Sequence, residues 1–416
     1  MYKYYLFLMV MLCTWTSTVT APPTPFRLLF LTALIAPLLF NKDNFLVPVL
    51  ACFSAVASYG FSCSYMPTEL YYYLGIIALI FLLNVNKMSQ TQRPPTIFVL
   101  FCFYVCVLDC AVGSGLENID YSLLILLLSF FFVSKEGSEK EIYILCFVVV
   151  TLVLCVFYFT YGQSNTEVLE DGRVGWVDSN YMGNVCGMGI VLAYNAIINN
   201  YFSKNKIYSR LCLVAVLAGV ILLVLNASRG AFLSMSVAVV LVTMCSKIPL
   251  KKKIVVTVIA ICGVISMYHY GLFDILAERI ASDDGTGNAR TVIWAAKLDA
   301  FQQLPLYKQF MGIGYHGGFE LAFPGGFGFH SDYLALIVDY GYIGFILFIL
   351  MLLYPITTVW QNTSSRPIVI SLVLFLLTCA ATLEPYTAGR LTYWYFYMAI
   401  VLFARWSKNP ASLHNL

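Results

Sequence analysis

The chain has 416 residues, 60% of them hydrophobic and only 11% charged, with a mean hydropathy of +0.82. Soluble domains carry about 25% charged residues, so the composition excludes a water-soluble enzyme and points to an integral membrane protein. The net charge of +3 is too small to argue for a nucleic-acid partner.

Apolar runs of roughly 17–25 residues, each able to cross a bilayer as a helix, recur along the chain. Candidate spans are read at 4–20, 26–40, 44–62, 69–84, 95–112, 121–134, 142–162, 180–199, 211–226, 231–246, 254–271, 331–355, 367–383 and 391–404. The runs at 26–40 and 121–134 are short enough to be re-entrant. The predicted fold class is therefore an all-α polytopic membrane protein with 12–14 transmembrane helices and a long folded external loop. Met1 to Thr20 has a lysine near its start and a short apolar stretch, as signal peptides do. Ala21-Pro-Pro leads straight into another apolar run, and a retained first helix is expected. The 13 cysteines lie mostly inside apolar runs, with Cys102, Cys106 and Cys110 on one helix face. They read as small hydrophobes rather than a disulfide framework or metal site.

Orientation follows from Lys and Arg in the short loops. With the N-terminus in the cytoplasm, 16 of the 24 basic residues fall inside, in compact groups such as Lys251-Lys252-Lys253. Arg27, Arg173, Arg229, Arg279, Arg290, Lys297, Lys308 and Arg390 fall outside, and both termini are cytoplasmic. Two external segments stand out, 163–179 and 272–329. A loop as long as the second is usually functional or disordered. This one contains Trp294, Phe301, Leu304, Pro305 and Tyr307, and its middle predicts an amphipathic helix from Arg290 to Gln303. Its last third is rich in glycine. A folded cap over the external helix ends is expected. The chain divides into N-terminal helices (1–162), a central region that includes the loop (163–355), and C-terminal helices with a cytoplasmic tail (356–416).

Arginines kept outside against the charge bias need a reason. Arg229, in Ser228-Arg229-Gly230, sits in a connection barely longer than a turn, so its guanidinium lies near the hydrocarbon boundary, where charge is costly and a functional role is the default. The adjacent Gly230 would let a ligand approach the backbone. Arg173 lies in Asp171-Gly172-Arg173-Val174-Gly175, just before Asn180, and Arg290 lies in Ala289-Arg290-Thr291. Arg279 and Arg390 read as ordinary surface arginines. Several guanidiniums on one face suit a phosphate or diphosphate, which they pair with bidentately without ever losing charge. His330 opens the string His330-Ser331-Asp332-Tyr333-Leu334, where the longest polar stretch runs back into an apolar helix. A histidine there is an interfacial or capping residue, or a group able to take a proton at neutral pH. Arginines that stabilise a leaving diphosphate, with a histidine as base, suggest metal-independent group transfer from a lipid diphosphate.

These residues resemble the O-antigen ligase and polymerase superfamily of bacterial envelopes. Arg229-Gly-Ala-Phe-Leu233 looks like the family's Arg-x3-Leu element. His330-Ser331, nine residues, then Gly341-x-x-Gly344 matches its His-(Asn/Ser/Gln)-x9-Gly-x-x-Gly pattern. Arg290 with Trp294, followed by Pro305 and Gly312-Ile-Gly314, resembles the large external loop. Arg173-Val-Gly175 through Asn180 is a looser likeness to the family's Arg-x-x-Gly…Asn segment. Together these strings cover roughly 170–350. The resemblance implies a glycosyltransferase of the inner membrane whose site faces the periplasm. The donor glycan would hang from undecaprenyl diphosphate, and the acceptor would be lipid A-core or a second lipid-linked glycan. Arg229 and Arg290 would hold the diphosphate with Arg173 assisting, and His330 would be the base. Attack would invert the anomeric carbon, with no cofactor or metal.

Ser331 departs from the commoner asparagine. Asp332 is placed to orient the imidazole or, the preferred role, to cap the helix. His316, between glycines, is a second candidate for the cleft. Gly341 and Gly344 are read as permitting close helix packing. Ligase and polymerase share all these motifs; the intact strings lean to ligase. A transporter of lipid-linked sugar would place ionisable groups near the midplane, where Asp339 is the main charge here.

Overall fold

The computed structural model describes residues 91–112, 121–157, 179–271 and 290–407 apart from short gaps within them, the pairs 167–168 and 174–175, and the isolated positions 78, 82 and 274. The spans expected at 4–20, 26–40 and 44–62 lie outside the described residues, as does that at 69–84 apart from positions 78 and 82; so do Arg173, Arg279 and Arg390. Twelve α-helices occur among the described residues: α1 (Thr96–Val112), α2 (Tyr121–Ser129), α3 (Lys140–Phe157), α4 (Ser179–Ile198), α5 (Lys206–Leu225), α6 (Arg229–Cys245), α7 (Leu250–His269), α8 (Arg290–Gln302), α9 (Leu306–Met311), α10 (Asp332–Val359), α11 (Arg366–Thr382) and α12 (Leu391–Trp406). The all-α expectation needs one small amendment. Glu167–Val168 and Val174–Gly175 form a two-residue antiparallel ladder in the 163–179 segment.

Helices α5, α6, α7 and α11 each begin one to five residues before the apolar run that announced them, taking in Lys206, Arg229, Lys251 to Lys253 and Arg366. Helix geometry does not stop at the hydrocarbon edge, and long basic side chains extend toward water while their stems stay on apolar surface. The start of α5 is fixed by Asn205, whose side-chain oxygen accepts from the N–H of Ile207 (3.1 Å) and Tyr208 (3.3 Å), the usual asparagine N-cap. Helix α2 is 9 residues long and followed by one 3-10 turn, Phe130–Phe132. At 1.5 Å per residue it cannot cross a bilayer of about 30 Å alone. Helices α5 and α10, at 20 and 28 residues, are apolar and long enough to do so. Helices α1, α3, α4, α6 and α11 are apolar too.

Helix α12 is buried along nearly its whole length, and its run from Tyr393 to Tyr397 supplies the aromatic centre of the core. Trp394 packs between Phe98, Phe101 and Tyr386. Around it lie α1, α10 and α11. Helices α3 to α6 form a second group, joined to the first where α6 and α4 pack on α11. The outside of the bundle is apolar: Phe103, Leu217, Leu233, Val240 and Ile346 are exposed, and α7 buries no residue at all. Such a surface would aggregate in water and is the expected face toward lipid.

Helix α10 is not the unbroken span expected at 331–355. Gly341 interrupts it with φ +65° and ψ −174°. The break frees carbonyls just before it, and the loop after α9 uses them: Ile313 N–H donates to Asp339 O (3.0 Å) and Gly314 N–H to the same oxygen (2.8 Å). The fit allows no side chain. A Cβ on Gly312 (φ +91°) would lie 2.2 Å from Asp339 O, and one on Gly341 2.3 Å from Phe310 O. Tyr104 of α1 closes the joint by donating to Met311 O (2.7 Å) and Tyr340 O (3.0 Å). Gly341 is therefore a loop-docking break, whereas Gly344, against the Tyr104 ring, serves close helix packing as expected.

The described residues from α8 to Phe329 pack against α10. Phe301 and Phe329 share a small apolar cluster with Ala335 and Val338 of α10, flanked by Leu304, Ile313 and Leu321. Substituting Gly341→Ala is expected to destabilise the protein by at least about 2 kcal/mol, since φ is positive and backbone blocks the methyl. Gly263→Ala on exposed α7, where a Cβ meets nothing within 4 Å, should be neutral or stabilising by about 0.5–1 kcal/mol. Thermal unfolding in detergent compares the two; equal midpoints would refute the docking-break account.

Candidate functional site

The C-terminal end of α11 collects the strings singled out in the sequence. Arg290, the first residue of α8, donates from Nη1 to Thr382 O at 3.1 Å. Gly230, second in α6, faces the same Thr382: a Cβ there would lie 2.7 Å from Thr382 Oγ1. Asp332, first in α10 and just past His330, donates its backbone N–H to Leu383 O at 2.8 Å. Three helix beginnings thus meet one helix end. Arg229 and Arg290 each occupy a first helical turn, the positive end of the helix dipole, where anions are favoured.

The turn before Arg229 is tight. Ala227 has φ +50°, a conformation a residue with a Cβ seldom adopts. Ser228, at the N-cap of α6, makes no side-chain cap bond. Its hydroxyl donates instead to Asn180 Oδ1 of α4 at 3.1 Å. A Cβ on Gly183, one turn on, would sit 3.0 Å from atoms of Asn226, Ser228 and Ala231. Asn180 is thereby tied to the Arg229 turn. Arg229 itself is half-buried.

His330 is exposed and also left-handed, at φ +53°. Strain of this kind concentrates where surrounding structure over-determines it, and here the flanks are held on both sides. Before it, Trp294 donates its indole N–H to Phe329 O at 2.5 Å. After it, the Asp332 carboxylate, 0% exposed, accepts the Tyr386 N–H at 3.1 Å to each oxygen. Asp332 was expected to cap its own helix; its carboxylate caps the chain that leaves α11. Ser331, the N-cap residue of α10, makes no side-chain cap bond.

His316 stands elsewhere on the loop, at φ +54°, with its ring 4.0 Å from that of Tyr315. The residue as a whole is exposed, yet the ring is desolvated enough that its pKa falls below the ordinary imidazole value. Its anchor is Asp109 of α1, 0% exposed, which accepts the Tyr315 N–H at 2.9 Å. Asp339 was expected near the midplane, paired with a polar group. It is 3% exposed and accepts the Gly318 N–H at 2.7 Å, so the descending loop meets it rather than hydrocarbon.

Two contributors escaped the sequence reading. Thr382 acts through its backbone carbonyl, which leaves no trace in sequence. Lys297, counted there only among the external basic residues, is 0% exposed and donates to Gly318 O (2.5 Å) and Phe319 O (2.9 Å). A signal for it existed: Arg290, Trp294, Lys297 and Phe301 follow the spacing of one helix stripe, so Lys297 shares a face with two aromatics.

The opposite end of the bundle is basic. Arg405 donates to Arg93 O and to Tyr354 Oη (3.2 Å), and Asn362 to Ser407 O (2.6 Å). The motif residues and this cluster thus occupy opposite ends of the described helices. Asp332→Ala, which orphans a buried amide, should cost about 2–3 kcal/mol; Asp332→Asn, retaining one acceptor, should cost less than half of that. Equal loss in the two variants would show that Asp332 does not hold Tyr386 through its oxygens.

No curated protein sequence matches the chain. A family model described as O-Antigen ligase matches residues 213–349. The match takes in Arg229, α8, His330 and the Gly341–Gly344 string, and leaves Arg173 and Asn180 outside. Through this central region the chain, a helical membrane protein, is similar to the O-antigen ligase family.

Proposed function

We propose that the protein is an inverting, metal-independent glycosyltransferase that moves a glycan from undecaprenyl diphosphate to a sugar hydroxyl of lipid A-core, at the periplasmic face of the bacterial inner membrane. The observation that carries this reading is the convergence of the Arg229-Gly230 turn, Arg290 and the His330–Asp332 segment on the end of α11. Arg229 and Arg290 pair with the diphosphate, with Arg173 and Asn180 assisting. As the bond from the anomeric carbon to the diphosphate oxygen breaks, negative charge grows on the leaving group, and fixed guanidiniums at two helix N-termini stabilise it. His330 takes the proton of the acceptor hydroxyl while its oxygen attacks the anomeric carbon from the opposite side. The products are the inverted glycoside and undecaprenyl diphosphate. The bond from Arg290 to Thr382 O ties that guanidinium to the end of α11, and Gly230 lets the start of α6, which carries Arg229, pack closely against the same Thr382.

A transporter would use ionisable groups inside the bundle to bind cargo. Here Asp109, Asp332 and Asp339 accept backbone N–H groups of connecting segments, which favours chemistry at the bundle end.

With purified protein, undecaprenyl diphosphate-linked glycan, acceptor and EDTA, transfer should proceed. Arg229→Ala, Arg290→Ala and His330→Ala should each lower it more than tenfold in folded protein. Normal transfer by Arg229→Ala and His330→Ala would rule out their roles, and loss of transfer in EDTA would overturn the metal-free scheme. In a deletion strain, lipopolysaccharide without O-chain and an accumulation of long lipid-linked polymer are expected. Lipopolysaccharide capped by one repeat would instead establish a polymerase, which the same residues could serve with a lipid-linked acceptor.

A further inference from the structure

Helix α8 is clamped at successive points along one stripe. Arg290 binds Thr382 O. Four residues on, about 6 Å along the axis, Trp294 binds Phe329 O. One turn further, Lys297 Nζ binds Gly318 O and Phe319 O and lies 4.3 Å from the centre of the Phe329 ring. Phe301 ends the stripe in the small cluster beneath the loop, its ring edge-on to Tyr342 at 5.8 Å. Two of these four residues therefore grip Phe329, the residue before His330, by its carbonyl and by its ring. The same helix carries Arg290 at its first position.

A lysine is an expensive way to fill that space. Removing its ammonium from water costs several kcal/mol unless its donors are matched, and apolar side chains of similar volume often serve stability as well or better. What Lys297 supplies and a methionine would not is direction. Its two carbonyl bonds and the ring beneath it hold residues 318–319 and 329 against one point of α8. Asp339 takes the N–H of Gly318 from the other side (2.7 Å), so the loop is pinned by a donor and an acceptor at the same residue.

We propose that Trp294 and Lys297 are positioning residues that make α8 a ruler between the leaving-group site and the base, holding His330 at a set distance from Arg290. This rests on the roles given above to Arg290 and His330. Neither tether residue touches substrate in this scheme. They act by keeping the imidazole in its left-handed backbone setting, and a displacement of about 1 Å at a reacting group can cost on the order of a hundredfold in rate.

The test uses full-length protein in the transfer assay, with Trp294→Phe, Lys297→Met and each of these combined with His330→Ala. Trp294→Phe removes one hydrogen bond and keeps the ring stripe, so it carries the test if Lys297→Met fails to fold. Each single variant should lower kcat at least tenfold with donor KM within about twofold of wild type. Neither should lower the residual rate further once His330 is alanine, because no base remains to be aligned. Hydrogen–deuterium exchange over 312–331 should quicken at least tenfold in Lys297→Met. A merely structural contact would move stability but would not lose its effect in the His330→Ala background. Folded variants with wild-type kcat, or losses that multiply with that of His330→Ala, would overturn the ruler. An inactive wild type, or a fully active His330→Ala, would instead fail the functional reading.

Discussion

A carboxylate withdrawn from water must be met by donors, and three buried aspartates organise this protein by that rule. Asp109, Asp332 and Asp339 each take a backbone N–H from a segment that joins helices: Tyr315, Tyr386 and Gly318. Irregular backbone at a helical bundle's end carries amide groups that cannot pair among themselves, so each bond satisfies two groups that would otherwise be orphaned. The path of the connecting chain is fixed by where the three helices put their aspartates. The candidate site inherits that precision, because His330 lies two residues before one of these carboxylates and on the same loop as the amides held by the other two.

Much of the helical plan was legible. The apolar runs marked α4, α5, α6, α11 and α12 to within a few residues, and the amphipathic stretch beginning at Arg290 is helix α8. The Arg229 turn and the His330 string stood out because charge and titratable groups are scarce in so apolar a chain. Spacing alone could not show that α10 breaks at Gly341, since an apolar run with two glycines reads the same whether straight or interrupted. What separates the cases is a loop distant in sequence that arrives with N–H groups to spend on the exposed carbonyls.

The burial of Lys297 was missed for a related reason. Charge bias sorts residues by side of the membrane and says nothing of depth within a folded loop. The helical stripe from Arg290 to Phe301 held the information, since it sets Lys297 in line with Trp294 and Phe301. Asp109 was overlooked because a single acid inside an apolar run has no pattern, and its role depends on Tyr315, over two hundred residues away. The hub at Thr382 and Leu383 is made of carbonyl groups, which every residue owns.

The junction at Gly341 also bears on how substrates can arrive. Swinging the 312–318 segment away would unpair the bonds to Asp339 O and strip Asp109 and Asp339 of their loop donors. At about 1–3 kcal/mol for each buried group left unsatisfied, such an opened form would be populated at well under one part in a hundred. This part of the loop is fixed masonry rather than a lid. Under the proposed function, a long lipid-linked chain would then enter between helices, and the lipid-facing surface would be a doorway as well as a boundary.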